Sequence, residues 1–217
     1  MPDVMLLQEV DNGWRKYLEL KIVKLGYSIC FGECWSSGLA IAWKHDSMKS
    51  CNAEPVNFKE AGIFNMWLSK SDLNEFISFV NLHAPWGEAE KFDNIYTSLI
   101  ENDRPQLIAG DFNTDDPKKN RNFNYFFSEL FNSKKGYNDL TDTIQFTARN
   151  VNTNNAEKLD FILGLNVFGN NAKIYPEMLS LLLPHSPGGK FFADNENNHF
   201  SDHVLVFSNM HISNTSI

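Results

Sequence analysis

The alternation of hydrophobic and polar positions predicts a chain built from both strands and helices. Short apolar or alternating runs predict strands at residues 3–8, 39–43, 63–68, 76–82, 106–109, 159–163 and 204–208. The runs at 63–68 and 76–82 flank Ser71-Asp72-Leu73-Asn74, which favours a hairpin. Apolar residues recur at helical spacing in residues 14–25, closed by Gly26, in 88–101 and in 123–131.

No internal repeat and no linker divides this pattern. We therefore expect one domain over residues 1–210 and a short tail at 211–217. Two polar segments, 150–157 and 184–198, are predicted to be irregular, and each comes just before a strong motif. Loops that border a site carry function more often than loops elsewhere.

Composition is that of a soluble globular protein large enough to bury its own core. The 217 residues are 42% hydrophobic and 21% charged, and no apolar run is long enough to span a bilayer. No signal peptide is visible at the start. Cys30, Cys34 and Cys51 cannot pair evenly and lack zinc-site spacing, so buried thiols are predicted, which favours an intracellular, cytoplasmic location.

The charge limits the partners that we expect. Acidic residues outnumber basic ones 27 to 19, for a net charge of −8. A long basic face for gripping duplex DNA is therefore not expected, and any contact with nucleic acid should be local and sensitive to salt. The excess of carboxylates could equally serve a divalent cation.

Polar side chains follow or interrupt the apolar strands at five places. These candidate site residues are Glu9, His83, the Asp111/Asn113 pair, Asp160 and the Asp202-His203 dipeptide. Taken singly, each has an ordinary explanation, such as a surface carboxylate at a strand end or a packed core histidine. Five polar sites at the ends of five predicted strands together indicate a functional pocket.

Two of these places have a specific chemical interpretation. Asp111 and Asn113, two residues apart, point to the same face if the strand end is extended, but an Asp-Asn turn is the alternative. Asp160 lies within an apolar strand and needs a partner, for which a histidine such as His203 is natural. An Asp that orients a His is a recurring arrangement in hydrolysis.

The order of these motifs resembles the endonuclease/exonuclease/phosphatase superfamily, over residues 3 to about 208. The motifs that carry the resemblance are Leu7-Gln8-Glu9, Asn81-Leu82-His83, Gly110-Asp111-Phe112-Asn113, Leu159-Asp160-Phe161-Ile162 and Ser201-Asp202-His203. The resemblance implies an α/β fold, a four-layer α/β sandwich in which two mostly antiparallel sheets pack face to face with helices outside. It also implies a metal-dependent phosphoric ester hydrolase.

The resemblance further implies a role for each candidate residue. Glu9 would bind Mg²⁺, or Mn²⁺ in its place, and Asp202 would lie near the metal. Asp111 would activate or position the attacking water, and Asn113 would hold the scissile phosphate. His203 would contact the phosphate with Asp160 fixing its tautomer, and His83 matches a phosphate-contacting or acid-base histidine.

Members of the superfamily normally begin with a strand ending in an Asn, followed by a helix, before the Leu-Gln-Glu strand. Here that second strand is reached by Asp3. By this resemblance we expect lower activity and stability from the chain alone than from an N-terminally extended form.

The substrate implied is a phosphodiester, with nucleic acid favoured over lipid. Trp86 could stack on a base and Arg149 could meet a backbone phosphate, and Phe112 is a further aromatic candidate for stacking, although each also fits a core or surface role. A lipid or inositol phosphoesterase, with residues 184–198 touching a membrane surface, and a non-catalytic member are the alternatives.

Overall fold

The computed structural model describes residues 2–35, 37–50, 55–70, 76–86, 89–113, 136–149, 156–169, 172–174, 203 and 206–212. Several predictions lie outside these residues. They are the helix at 123–131, the irregular segment at 184–198, the hairpin turn at 71–74, the thiol of Cys51 and the role of Asp202.

Sixteen strands and two α-helices are present in the described part of the chain. In chain order they are β1 (Val4–Leu7), α1 (Asn12–Ile22), β2 (Tyr27–Glu33), β3 (Gly38–Lys44), β4 (Met48–Ser50), β5 (Val56–Phe58), β6 (Ile63–Lys70), β7 (Phe76–His83), α2 (Asp93–Ser98), β8 (Leu107–Asp111), β9 (Tyr137–Asp139), β10 (Ala148–Arg149), β11 (Ala156–Glu157), β12 (Asp160–Leu165), β13 (Val167–Gly169), β14 (Lys173–Ile174), β15 (Val206–Phe207) and β16 (Met210–Ile212).

A small antiparallel sheet has the strand order β1-β3-β2. Leu6 of β1 and Cys30 of β2 both lie opposite Ile41 of β3. Among the described strands, β1 pairs with β3 alone. Strand β2 was not predicted, although Tyr27, Ile29 and Phe31 alternate as a strand requires.

The larger sheet has the order β4-β6-β7-β8-β12-β9, with β5 also paired to β6. Its pairs are antiparallel except for β7 and β8, which are parallel. The β6–β7 pair, in which Ile63 lies opposite Leu82, confirms the predicted antiparallel pairing of these two runs.

The two sheets pack face to face, and each has a helix on its outer face. Leu39, Ile41 and Trp43 of β3 share one buried cluster with Met66 and Phe79 of the larger sheet. The opposite face of β3 packs under α1, and the opposite face of the larger sheet packs under α2 and the turn after it. These layers confirm the predicted four-layer α/β sandwich.

The helical segment that contains α1 begins and ends where local chemistry favours it. The Asp11 side chain accepts a hydrogen bond from Trp14 N at 2.8 Å, which caps α1. A 3₁₀ turn follows, and Gly26, with φ of 84°, ends the segment as predicted. Of the apolar positions predicted for this helix, Leu18 and Ile22 contact the small sheet.

The remaining apolar positions of that first segment do not pack as a buried stripe would. Tyr17, Leu20 and Leu25 are exposed. The second predicted helix is composite, because a 3₁₀ turn (Ala89–Phe92) precedes α2 and a π turn (Leu99–Asp103) follows it. Its predicted stripe is confirmed, since Tyr96, Leu99 and Ile100 are buried against the larger sheet.

Asn81, fully buried on β7, joins the two sheets. Its Nδ2 donates to the carbonyl oxygens of Leu7 at 2.8 Å and Ala40 at 2.9 Å, and its Oδ1 accepts from the Gln8 side chain. The end of β1 is thereby held against β7, and this contact positions Glu9, the next residue along the chain.

The remaining strands form short pairs, β10–β11, β13–β16 and β14–β15. The tail was expected to begin at residue 211, but β16 continues to Ile212. Within the described residues, no helix combines the length and the apolar character that crossing a bilayer demands.

Candidate active site

Three candidate residues lie side by side on adjacent strands of the larger sheet. His83 ends β7, Asp111 ends β8, and the parallel register sets them opposite each other. Asp160 begins β12, and the antiparallel register sets it opposite Asp111. We call these three residues the strand-end row. The sheet topology therefore brings together residues that are 28 and 49 positions apart in the sequence.

His203 lies against one end of this row. Its Nδ1 is 2.8 Å from Asp160 Oδ2, and its Nε2 is 3.7 Å from Asp111 Oδ2. A bridge between the backbones of Ala148 and His203 holds the histidine in place. The Asp–His contact that the sequence suggested is present, and it leaves Nε2 directed at Asp111.

Thr147 supports the aspartate of that pair, and sequence reasoning missed it. Its buried Oγ1 accepts hydrogen bonds from the backbone N–H groups of Leu159, at 3.0 Å, and Asp160, at 2.9 Å. These bonds fix the start of β12. The threonine was a weak signal, because its partners lie 12 and 13 residues further along the chain.

His83 is almost fully buried and faces two carboxylates. Its Nε2 is 3.8 Å from Asp111 Oδ2 and 4.0 Å from Glu9 Oε1. Burial first, and the neighbouring His203 second, lower the pKa of His83 from 6.5 to about 4, against a smaller opposing effect of Asp160. At neutral pH the ring is therefore uncharged and presents one N–H donor and one acceptor.

Asp111 has the opposite shift. Burial first, and the Asp160 carboxylate second, raise its pKa from 3.8 to about 7. His203 and the backbone N–H of Asn113, which donates to Asp111 Oδ1 at 2.7 Å, lower the pKa in part. A carboxyl group that titrates near neutrality can accept a proton from a reacting water.

Asn113 reaches Asp111 by a turn. The extended geometry that would place both side chains on one face is wrong here, because β8 ends at Asp111 and Asn113 has φ of 50°. Asparagine tolerates this left-handed conformation better than most residues. Its Nδ2 donates to Ala84 O at 2.6 Å, and within the described residues no acceptor is found for its second amide proton.

Glu9 is contributed by the small sheet. It follows β1 after one intervening residue, Gln8, and has φ of 56°, which is unusual for a residue with a side chain. Its side chain is 70% exposed. The carboxylate that faces His83 therefore comes from a different sheet than the strand-end row does.

The donor set fits a hard cation that keeps most of its water. In the described part of the chain, no group of three or more His, Cys, Asp or Glu side chains is arranged to hold a metal. Mg²⁺, however, is usually bound through one or two carboxylates together with substrate phosphates. Glu9 and Asp111 supply two carboxylates around the same histidine nitrogen, at 4.0 and 3.8 Å. Repulsion from the Glu9 carboxylate is the smallest of the contributions to the shifted pKa of Asp111.

The candidate substrate-binding residues lie in different settings. Trp86 is 60% exposed, three residues after His83. Arg149 lies on β10, with its backbone opposite Ala156. Phe112 is fully buried against Phe161, with ring centroids 5.2 Å apart, so its alternative role as a base-stacking platform is wrong.

These features define a class of protein, an α/β sandwich with histidines and carboxylates gathered at the strand ends. The chain belongs to the Endonuclease/Exonuclease/phosphatase family, whose model matches residues 1–203. Membership supports phosphoester hydrolysis as the general activity. A comparison with curated protein sequences gave no significant match.

Solved structures share the fold at low sequence identity. The human Nocturnin catalytic domain with bound sulfate is 16% identical, with a TM-score of 0.64 over 98% of this chain and 81% of that one. A humanized D. rerio TDP2 is also 16% identical, with a TM-score of 0.62 over 97% and 86%. The Neisseria 3' phosphatase NExo, bound to a product DNA hairpin, is 14% identical, with a TM-score of 0.60 over 97% and 89%.

Proposed function

We propose that this protein is a Mg²⁺-dependent phosphodiester hydrolase that acts on nucleic acid by attack of water on phosphorus. The observation that carries the proposal is the strand-end row, with Asp111 flanked by His83 on one side and by the Asp160–His203 pair on the other. An acid with a pKa near neutrality between two histidines suits proton transfer beside a phosphate.

Each residue has a distinct task in this proposal. Asp111 positions the attacking water and accepts its proton. Asn113, with its remaining amide proton, and His203, through Nε2, hold the oxygens of the scissile phosphate. Asp160 accepts the Nδ1 proton of His203 and so keeps the ring in the orientation that directs Nε2 inward. Donors fixed in advance stabilise the charge that develops in the transition state.

Glu9 would hold the cation together with Asp202, which lies outside the described residues, and Asp111 beside it would hold the attacking water. Mg²⁺, or Mn²⁺ in its place, would neutralise developing negative charge and lower the pKa of a bound water. The Glu9 and Asp111 carboxylates lie 4.0 and 3.8 Å from the same His83 nitrogen, and two neighbouring carboxylates support a cation there.

Nucleic acid is the substrate class that we favour. Among the similar structures, D. rerio TDP2 was determined with a single-strand DNA product and the Neisseria phosphatase with a DNA hairpin. In this chain the exposed indole of Trp86 could stack on a base, and Arg149 could contact a backbone phosphate. With a net charge of −8, binding should weaken as salt rises, but with a shallow slope that reflects few phosphate contacts.

A panel of substrates tests the proposal. Plasmid DNA, single-stranded DNA and RNA, sphingomyelin and inositol phosphates are each assayed with Mg²⁺, with Mn²⁺ and with EDTA. We expect hydrolysis of a nucleic acid that EDTA abolishes and Mg²⁺ restores, and a rate at least about a hundredfold lower in Asp111→Asn and His203→Ala. Cleavage of lipid or inositol phosphate alone would redirect the substrate class, and no hydrolysis of any substrate would contradict the proposal.

His45→Ala is the matched control. His45 contacts Ser28 at 2.6 Å in an exposed position near the start of β2 and belongs to no part of the site. Its substitution should leave the rate unchanged. If His203→Ala and His45→Ala had equal rates, the role given to His203 would be wrong.

A further inference from the structure

Two residues of the loop after β2, Cys34 and Trp35, contact His83 but are not part of the strand-end row. Trp35 Nε1 donates to the carbonyl oxygen of His83 at 2.8 Å, and the two rings pack with centroids 5.0 Å apart at 48°. Cys34 Sγ, which is buried, lies 3.7 Å from His83 Nδ1 and 3.9 Å from its carbonyl oxygen. On the other side of the peptide, His83 N–H donates to Gly62 O at 2.8 Å. The residue is therefore held both at its backbone and at its ring.

The two ring nitrogens of His83 have opposite surroundings. Nε2 faces oxygens of Asp111 and Glu9, at 3.8 and 4.0 Å, and ionised carboxylates only accept hydrogen bonds. Nδ1 faces Cys34 Sγ, whose S–H group is a donor. The His83 carbonyl oxygen, which also accepts from the Trp35 indole, is the more distant of the two His83 atoms from the sulfur, at 3.9 Å against 3.7 Å for Nδ1.

We propose that Cys34 and Trp35 are positioning residues that hold His83 as the tautomer protonated at Nε2. In this arrangement the thiol donates to Nδ1, and the indole fixes the backbone from which the ring projects. The inference rests on the proposed function, in which His83 flanks Asp111. It adds that His83 presents Nε2–H to the site as a hydrogen-bond donor, with Nδ1 kept as an acceptor by the thiol.

The tautomer can be measured without any substrate. Protein labelled with ¹⁵N-histidine is examined by NMR at about pH 8, which is above even the raised pKa of Asp111, and the His83 signals are assigned by their loss in His83→Gln. We expect the wild type to show a protonated Nε2 and an unprotonated Nδ1. Cys34→Val, which keeps the bulk of the side chain but removes the donor, should show a mixture of tautomers.

Conservative variants separate the donor from the packing. Cys34→Ser keeps a donor in the same place and should restore most of the Nε2–H signal that Cys34→Val loses. Trp35→Phe keeps the ring against His83 but removes the indole N–H, which frees the carbonyl to compete for the thiol. Cys30→Val is the matched control, because Cys30 lies on β2 with its side chain half-buried beside the core between the sheets.

Kinetics supply the second readout. Because Cys34 is buried and lies behind His83, Cys34→Val should lower kcat about tenfold with little change in KM, as for other residues that orient a site histidine. Cys34→Ser should recover part of kcat, and Cys30→Val should match the wild type. A fall in kcat with an unchanged tautomer would mean that the thiol acts through packing alone, which would contradict the inference.

Two results would overturn it directly. One is a wild-type spectrum with the proton on Nδ1, and the other is a Cys34→Val spectrum identical to the wild type. Neither depends on catalysis. If no phosphoester were hydrolysed, the proposed function would fail while the spectra would still decide the tautomer.

Discussion

Backbone strain is concentrated at the site on the scale of single residues. Glu9, Arg104, Asn113 and Asn166 are the described residues other than glycine with positive φ. Two of these four are candidate site residues. A left-handed residue with a side chain costs stability, and such residues cluster where function requires an unusual direction of the chain.

The left-handed conformation of Glu9 should therefore lower the free energy of unfolding, while its side chain serves the proposed cation site. In Glu9→Gly the left-handed strain is relieved, and we expect the free energy of unfolding to rise by about 1 kcal/mol. Glu9→Gln, the matched control, keeps the strain and should leave stability nearly unchanged. Both variants should lose Mg²⁺ binding in a calorimetric titration. Equal unfolding free energies for the two variants would show that the φ of 56° carries no cost.

The pKa values of His83 and Asp111 are shifted in opposite directions. Their contributions to the pH dependence of the free energy of unfolding should therefore nearly cancel. Between about pH 6.5 and 4, unfolded His83 binds a proton that the native ring does not, so its contribution to stability falls as pH falls. Between about pH 7 and 3.8, native Asp111 binds a proton that the unfolded carboxyl does not, so its contribution rises as pH falls.

Single substitutions should expose each contribution. Urea unfolding in EDTA is compared at pH 7 and at about pH 4.5. Relative to the wild type, Asp111→Asn should lose about 2 kcal/mol over this range and His83→Gln should gain a similar amount. Because His83 Nε2 lies 3.8 Å from Asp111 Oδ2, the double variant is compared with the sum of the two single variants to measure any coupling between them. Changes of the same sign in both variants would contradict the assignment.

On the scale of elements, the turn between β5 and β6 sets the end of β7. Gly62 has φ of 64°, and a Cβ on it would lie 1.8 Å from His83 O. Gly26, at the end of the 3₁₀ turn that follows α1, has φ of 84° with open space around it. The two glycines share a conformation but differ in what surrounds them.

Alanine at these two positions should therefore have unequal effects. Gly26→Ala should cost about 1 kcal/mol, from the left-handed backbone alone. Gly62→Ala should cost about 2 kcal/mol more, because it also pushes the end of β7 away, and kcat should fall with it. Denaturant titration and initial rates measure both quantities. Wild-type kcat in Gly62→Ala would show that His83 does not depend on this contact.

Local signals account for the elements that were predicted from the sequence. Gly26 marks the end of the first helical segment because only a short-range backbone conformation is required there. The strand before Asp111 was found because its apolar run is buried on both faces. Strand β2 was missed although it alternates. Gly32 interrupts it, and that glycine is explained by side chains of the larger sheet, because a Cβ would lie 2.6 Å from the Phe64 ring and 2.9 Å from Asn57 Oδ1.

The same limit applies to the site. The strand-end row was predictable because polar residues in apolar strands stand out, and the register then sets them side by side. Cys34 and Trp35 were not assigned to the site, because their partner is about 50 residues away and the thiol contact depends on how the sheets pack. Asn113 was predicted to lie near Asp111 on an extended strand end, whereas a turn brings the two residues together.

On the scale of the whole molecule, Asn81 is the polar link between the sheets. Asn81→Ala removes three hydrogen bonds to β1, Gln8 and β3, and it should lower stability by about 2–3 kcal/mol. Because β1 leads into Glu9, the affinity for Mg²⁺ should fall as well.

Ser78→Ala is the control for Asn81→Ala. The Ser78 hydroxyl donates to Asn65 within the larger sheet at 2.8 Å, so its loss should cost only about 1 kcal/mol. Mg²⁺ affinity should be unchanged. Calorimetry and urea unfolding of both variants provide the comparison, and an unaltered affinity in Asn81→Ala would mean that β1 is held in place by other contacts.

Glu9 is contributed by the small sheet and the strand-end row by the larger sheet, so the proposed cation site lies between the two sheets. A cation between Glu9 and Asp111 would bind the folded protein, in which the two sheets are packed together, and not the unfolded chain. By mass action, the melting temperature would then rise with Mg²⁺ concentration. We expect this rise in the wild type and not in Glu9→Gln, measured by thermal unfolding. The same bound cation would then serve both catalysis and the packing of the two sheets. A chelator would therefore lower the stability of the protein and abolish its activity together.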